Sequence, residues 1–585
     1  MAVSLIEVPR GGDNFVFIPA CCYAGNKFRV KKCSYPPMFQ TSESDPEMPN
    51  TITDVPRVET LPDGREVIEV STSDAAVPCI GVFSPSEKRG VLVFTVQEIN
   101  GKNIGLAYDS GTIRLTWPAK REKIYRMCRT FAGDAPWTDE PAEIPHKVLD
   151  FPCETLADFY RVFFENRKIM GLDAERPEIL PPEEQFAIQR NKFNAMNWDE
   201  TLGIYMVGTD RTRFQVWQPG WTGGTMSGYA LMKMGGELER ERELKTLDFL
   251  FSTQGESGFF HGVIDAEGKS YGDGFSGEGT QNWHLIRKSA DVLYFLFKHF
   301  RLMNERKIDI PENYLEGAKK TADGFVHLHE KFGQFGQFVD DRTGDICIYG
   351  SVSAGIAPAG LAEAYRFFGN PEYLRVAEES AERYYREFLS KGYTTGGPGE
   401  MLQCVDSESA FGLLESYVVL YDVTGNEKWL TYAREAAHYC SSWVVSYNYK
   451  FPEGSEFARL GMKTVGTVFA NLQNKHSAPG ICTLSGDSLY KLWTWTGDPL
   501  YLELIRDIAG TISQYMSTDA RPIYSWDAKP ERLPQGFINE RVNMSDWEGD
   551  GCIGGVFCGS CWSETSNLLT LAEVVPLLKL NGSTE

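Results

Sequence analysis

Residues 399 to 417 read GEMLQCVDSESAFGLLESY, and in them Asp406 and Glu408 stand where a small, polar approach gives way to an apolar helical pattern. Carboxylates at such a point have two uses. They cap a helix by accepting from its unsatisfied backbone N–H groups, or they face a ligand as base, nucleophile or hydroxyl acceptor. The Gly-rich approach favours the second use here. The positive end of the helix dipole would also favour the ionised form of both side chains.

Further groups of similar character lie along the chain. Glu278, in GFSGEGTQNWHL, has glycine on both sides, and Trp283 nearby offers an apolar wall; partial desolvation there would suit a general acid. Asp273 in the same loop suits a turn. Asn474 and His476, in NKHSAPG, are types that bind hydroxyls or steady a carboxylate, and His261 in GFFHGVID is a weaker example. The segment NMSDWEGDGCIGGVFCGSCWSETSN supplies Asp546, Trp547, Glu548, Asp550, Trp562 and Glu564, the last placed at a helix start much as Glu408 is. Trp217 and Trp221, in WQPGW, offer flat faces for a pyranose, although a tryptophan is as readily a core residue. Arg211 and Arg213 precede them and would suit a substrate carboxylate or a structural ion pair.

Two kinds of element must position these residues. From about residue 13 to 153 the pattern is short and strand-like, as in FVFIPACC, VLVFTVQEI and TIRLTW, with Asn100-Gly101 as a hairpin signal. An antiparallel sandwich over 1–154 follows. Thr155 and Asp158 then form a capping box, and a linker helix with a Pro-rich stretch is expected over 155–182. After it the period is helical. Three tight turns repeat one design: Phe368-Gly-Asn-Pro-Glu-Tyr-Leu374, Thr424-Gly-Asn-Glu-Lys-Trp-Leu430 and Thr496-Gly-Asp-Pro-Leu-Tyr-Leu502. Each uses glycine to end one helix and Asn or Asp to cap the next.

Counting outward from those turns gives six helical hairpins over 183–585. Outer helices are expected to start near 183, 237, 311, 371, 427 and 498, and inner ones near 222, 281, 352, 406, 476 and 562. The remaining connections are long and rich in Gly, aromatics and acids, which is the mark of a closed ring whose long loops gather over one mouth. A β-sandwich followed by such a ring resembles the six-hairpin glycosidase superfamily, the (α/α)6-barrel enzymes. The fold class is therefore α+β and multidomain. The resemblance implies that a sugar lies over the ring mouth, in front of the inner helices.

Composition narrows the partners. The formal net charge of the 585-residue chain is −22 with no run of Lys and Arg, so polyanions such as nucleic acid or an anionic membrane are disfavoured. The amino-terminal residues show no basic segment followed by an apolar run, and the 13 scattered Cys suit reduced thiols, so a cytoplasmic location is expected. Cys558-Gly-Ser-Cys561 has zinc-knuckle spacing but no second pair, so no metal is expected. No motif asks for a cofactor: nucleotide, phosphate-loop, nucleophile-elbow and zinc-protease patterns are all missing. An oligomer remains compatible with the sequence.

The activity expected is exo-acting hydrolysis of a terminal sugar by two carboxyl groups. Glu278 is the expected acid, and Glu408 or Asp406 the base or nucleophile. Trp217, Trp221, Arg211, Trp283, Asn474, His476, Trp547 and Glu564 are the expected sugar-binding residues. A β-galactoside and a β-glucuronide both fit. The alternatives are a glycoside phosphorylase, a polysaccharide lyase or a sugar isomerase on the same scaffold, and a glycan-binding protein without catalysis.

Overall fold

The computed structural model describes residues 1–28, 55–121, 142–172, 175–177, 179–221, 223–273, 279–399, 402–525, 530–547, 550–557 and 559–582. Glu278, Glu548 and Cys558 lie outside the described residues.

The strand-like segments pair into two antiparallel sheets. One runs in the order Ala2–Glu7, Thr112–Trp117, Gly105–Asp109, Glu66–Ser71, Glu59–Thr60, and the other His146–Pro152, Arg89–Thr95, Cys79–Ser84, Phe15–Phe17. Side-chain alternation decides what each face of the second sheet meets. Val16, Val82, Val91 and Val93 join Ile68, Leu106, Tyr108 and Leu115 of the first sheet in one apolar cluster. Phe15, Phe17, Phe83 and Phe94 point the other way, into the cluster that continues into the helical region. There they meet Phe159, Tyr160 and Phe163 of the helix Leu156–Asn166, which begins at the Thr155–Asp158 capping box. Gly81 and Gly90 leave room for Phe159, since a Cβ at either would press on its ring.

The six hairpins form. Inner helices are Gly224–Met234, Ile286–Glu305, Ala357–Phe368, Ser407–Thr424, Asp487–Thr496 and Trp562–Glu573, taken below as first to sixth. Outer helices are Pro182–Lys192, Glu237–Ser252, Glu312–Phe332, Pro371–Glu387, Glu427–Ser441 and Pro499–Thr511. The repeated turns behave as their residues require. Gly369, Gly425 and Gly497 take φ of 72, 65 and 71°, a region open to glycine. Asn370, Asn426 and Asp498 then accept from the N–H of Glu372, Lys428 and Leu500 at 3.1, 3.1 and 3.0 Å. The fifth inner helix starts at Asp487 rather than near 476, because 471–486 is spent on a mouth loop that carries the short strand Ser477–Ala478.

The first five inner helices pack each against the next, and the first packs against the sixth. The seam between fifth and sixth is closed by Ser566 and Thr570, whose hydroxyls donate to the carbonyls of Leu484 and Ser485 at 3.2 and 3.4 Å. The helices therefore make a closed ring, and the six-hairpin resemblance read from the sequence is borne out by it. The sheet region abuts this ring: Tyr23 stacks on Trp443 with centroids 5.0 Å apart, and Tyr447 donates to the Ala75 carbonyl at 3.1 Å. Among the described residues, no helix is long and apolar enough to cross a membrane, and no group of three or more His, Cys, Asp or Glu is placed to hold a metal ion.

Candidate functional site

The loops before the first, fourth, fifth and sixth inner helices are tied together by backbone hydrogen bonds. Ser407 N–H donates to the Ala470 carbonyl at 2.9 Å, and Leu472 N–H to the Val405 carbonyl at 3.1 Å. Ser477 and Val542 exchange hydrogen bonds in both directions, at 3.1 and 2.7 Å. Cys561 N–H donates to the Val207 carbonyl at 2.7 Å. Between them opens a cavity of about 340 Å³. Trp221, Trp562, Phe214 and Phe557 give it flat apolar walls, and Glu408, Glu540, Arg541, Asn474 and His476 bring polar groups to it.

Glu408 is the most constrained of these. It sits in the first turn of the fourth inner helix, buried, with Arg287 of the second inner helix hydrogen-bonded and ion-paired to its Oε2. Trp221 Nε1–H donates to the same oxygen at 3.2 Å. Arg287 is itself fixed by Asp291, 3.4 Å away, and donates to the Thr483 hydroxyl at 3.2 Å. A guanidinium partner keeps a carboxylate charged. Glu408 is thus presented to the cavity as an anion whose Oε2 is held by both Arg287 and Trp221.

Asp406 does otherwise. It is fully buried as the cap of the fourth inner helix, accepting from Ser409 N–H at 2.7 Å, Gly397 N–H at 3.0 Å and the Ser409 hydroxyl at 2.9 Å. It does not line the cavity. Burial pushes its carboxyl up to about 6, and the cap hydrogen bonds only partly oppose this. The dipole effect expected from the sequence is outweighed by desolvation. Gly397 is required beside it, since a Cβ there would strike the carboxylate of Asp406.

Asn474 and His476 face the cavity while Lys475 between them turns away, its ammonium donating to the Ala20 carbonyl at 2.6 Å. The sheet region thereby holds the loop that presents both residues. His476 Nδ1 lies 3.1 Å from the Ser477 carbonyl, which can only accept, so Nδ1 carries the proton and Nε2 is the basic nitrogen. Burial, and after it the charge of Arg541, hold the ring neutral, with its pKa well below the usual histidine range.

Several residues expected at a sugar site lie elsewhere. Trp217 is wholly buried with its ring edge-on to Phe249, so it has no face to offer. Trp283 packs on Phe338, centroids 6.0 Å apart, in a separate small core. Trp547 is buried and does not line the cavity; its neighbour Asp546 pairs with Arg121 at 2.8 Å. Arg211 is spent on an ion pair with Asp199. Glu564 is buried against Lys192 at 2.6 Å and accepts from Ile538 N–H at 3.2 Å. Asp273 pairs with Lys288, and His261 Nδ1 with Asp341 at 2.5 Å. The three tryptophans Trp217, Trp283 and Trp547 share a reason for lying away from the cavity: burying so large an apolar ring stabilises more than displaying it.

Glu540, Arg541 and Arg287 escaped the sequence reading. Glu540 is pinned by Ser560 N–H at 2.6 Å, and Gly559 beside it has no room for a side chain. Arg287 and Lys288 did leave a signal. Cations in the first turn of a helix oppose its dipole and so call for buried acidic partners, which Glu408 and Asp273 supply.

No family model and no curated protein matches the chain. Solved structures do resemble it over about two-thirds of its length. One, described as D-mannose isomerase, is 11% identical with a TM-score of 0.46, the match covering 68% of this chain and 97% of that one. A sugar epimerase from a ruminal bacterium is 12% identical, TM-score 0.45, over 67% and 97%. An unsaturated glucuronyl hydrolase specific for heparin is 14% identical, TM-score 0.43, over 68% and 98%. At such scores the likenesses carry no argument about chemistry.

Proposed function

We propose that the protein is an exo-acting glycoside hydrolase that removes a terminal sugar at the ring mouth by a two-carboxylate mechanism, with the two amino-terminal sheets forming a β-sandwich that buttresses the mouth loops. The observation that carries this is Glu408: a buried, Arg-paired carboxylate opening on a cavity walled by Trp221 and Trp562. Aromatic faces suit the apolar face of a pyranose, and an ionised carboxylate suits the base or nucleophile. The cavity, about 340 Å³, is at the small end of ligand pockets at roughly 300–1,000 Å³ and suits a chain end. Glu540 is the second carboxyl at the cavity and the proposed proton donor; Glu278 is its rival from the sequence.

The test is a panel of chromogenic glycosides, assayed with and without phosphate, against E408Q, E540Q and E278Q. E408Q should lose about 100- to 10,000-fold in kcat, and one of the other two a comparable amount. Hydrolysis by E408Q at the parental rate would sink the reading.

A second reading rests on His476. A neutral imidazole with a free basic Nε2 suits proton abstraction beside a sugar carbonyl, the chemistry of an isomerase or epimerase. Free aldoses incubated in D2O distinguish the two: that reading requires solvent deuterium at C2, and the hydrolase requires none.

A further inference from the structure

We propose that Asp291 is a positioning residue for Glu408: acting through Arg287 and Trp221, it fixes one carboxylate oxygen of Glu408 and leaves the other, Oε1, to meet the substrate. This rests on the reading of Glu408 as base or nucleophile and adds how that carboxylate is aimed.

Four side chains close a cycle. Arg287 Nη1 and Trp221 Nε1 both donate to Glu408 Oε2, the indole at 3.2 Å. The same two residues each turn a second donor to a single oxygen of Asp291. Trp221 backbone N–H donates to Oδ2 at 2.9 Å, and Arg287 Nε stands 3.4 Å from it. Asp291 is buried and does not line the cavity, so it acts on a ligand there only through these two neighbours. Arg287 lies one turn before Asp291 on the second inner helix, the spacing at which two side chains meet on one face.

The backbone of Trp221 shows what Asp291 holds. Its φ is 66°, in the left-handed region that a bulky residue rarely adopts. Such a conformation persists only where the surroundings impose it. Gly220 lets the loop lie directly on the second inner helix: a Cβ there would stand 2.3 Å from the Lys288 carbonyl and 2.9 Å from the Asp291 Cβ. Asp291 then takes the Trp221 N–H. From that backbone the indole reaches Glu408 and the cavity wall together.

The cycle makes the two oxygens of Glu408 unlike. Oε2 accepts from a guanidinium and an indole, which lowers its basicity. Among the described residues, no hydrogen bond reaches Oε1. Since Glu408 lines the cavity, Oε1 is the oxygen left for a water or a sugar carbon. The other titratable groups nearby are Asp406 on the same helix, Lys288 paired with Asp273, and Cys482, His476, Glu540 and Arg541 at the cavity. The substitutions below leave all of them in place.

Crystal structures and pH–rate profiles of the parent, D291N, D291A and G220A test the assignment. D291N keeps an amide oxygen for the Trp221 N–H but removes the charge that shares Arg287; D291A removes both. G220A leaves Asp291 and its ion pair intact but lifts the Trp221 N–H away. In D291A and G220A the indole hydrogen bond to Glu408 should be lost, and D291N should keep it. On the chromogenic glycoside that the parent turns over fastest, D291A should lose about 100-fold in kcat and D291N about tenfold, each with KM changed by less than about threefold. Without the charge of Asp291 the guanidinium serves Glu408 alone, so the acid limb of kcat/KM, where Glu408 takes up a proton, should move about one pH unit lower in D291N. Trp221 and Glu408 placed as in the parent in either D291A or G220A would overturn the assignment, G220A deciding alone should D291A not fold. So would a kcat for D291N within about twofold of the parent, or turnover lost with the acid limb unmoved. A parent that hydrolyses no glycoside would remove the hydrolase reading alone, and the D291A and G220A structures would still decide whether Asp291 holds the pair.

Discussion

Arg287, in the first turn of the second inner helix, is ion-paired across the ring mouth to Glu408, in the first turn of the fourth. The pair joins two of the six hairpins at the point where the cavity opens. It also sets a cation against the positive end of its own helix, so the arrangement holds only while Glu408 and Asp291 balance it.

Removing that cation should therefore hurt both fold and activity. R287M leaves two buried carboxylates, Glu408 and Asp291, without their counter-ion, and burial already pushes Asp291's carboxyl up. Loss of one partner from a buried pair costs about 3–5 kcal/mol. Urea unfolding should show a loss of that size for R287M, and a smaller one for R287K. A stability within about 1 kcal/mol of the parent would mean that the pair is no more than a surface contact.

Asp406 gives a pH dependence of defined sign. Burial pushes its folded-state pKa up to about 6, above the ordinary aspartate value of 3.8, so the folded chain binds a proton more readily than the unfolded one. The stability it contributes is fully present below about pH 4, and is lost as pH rises through about 6. Two pKa units correspond to roughly 3 kcal/mol. Relative to D406N, which cannot titrate there, the parent should lose about that much between pH 4 and pH 8. Parallel stability curves for the two proteins over this range would show that Asp406 stays ionised throughout.

What the sequence made legible follows from locality. The turns at 368–374, 424–430 and 496–502 are short-range contracts between glycine, a capping side chain and the following helix, and they hold as read. The cap at Asp406 is local in the same sense, and the sequence offered it as one of two uses. The cavity is another matter. Glu540 and Arg541 meet His476 only because Val542 pairs with Ser477, a contact across 65 residues. Nothing near Glu540 in the chain announces that pairing. Trp217 and Trp221 show the limit from the other side: four residues apart in one motif, one is sealed against Phe249 and the other reaches Glu408.

Lys192 and Glu564 form the buried pair that joins the first outer helix to the sixth inner helix, 2.6 Å apart with both side chains nearly inaccessible. Lys192 also donates to Asn197 Oδ1 at 2.9 Å, and Glu564 accepts from Ile538 N–H, so each charge has a second, neutral partner. Burial pushes the Glu564 carboxyl up, and Lys192 opposes that. K192M should strand the carboxylate and cost about 3–5 kcal/mol in urea unfolding. Adding E564Q should recover most of the loss, because the amide oxygen still accepts from Ile538 while no charge remains to desolvate. The double variant should also keep its activity if Glu564 serves only the closure of the ring. A double variant that regains stability but not turnover would instead make Glu564 part of the sugar site.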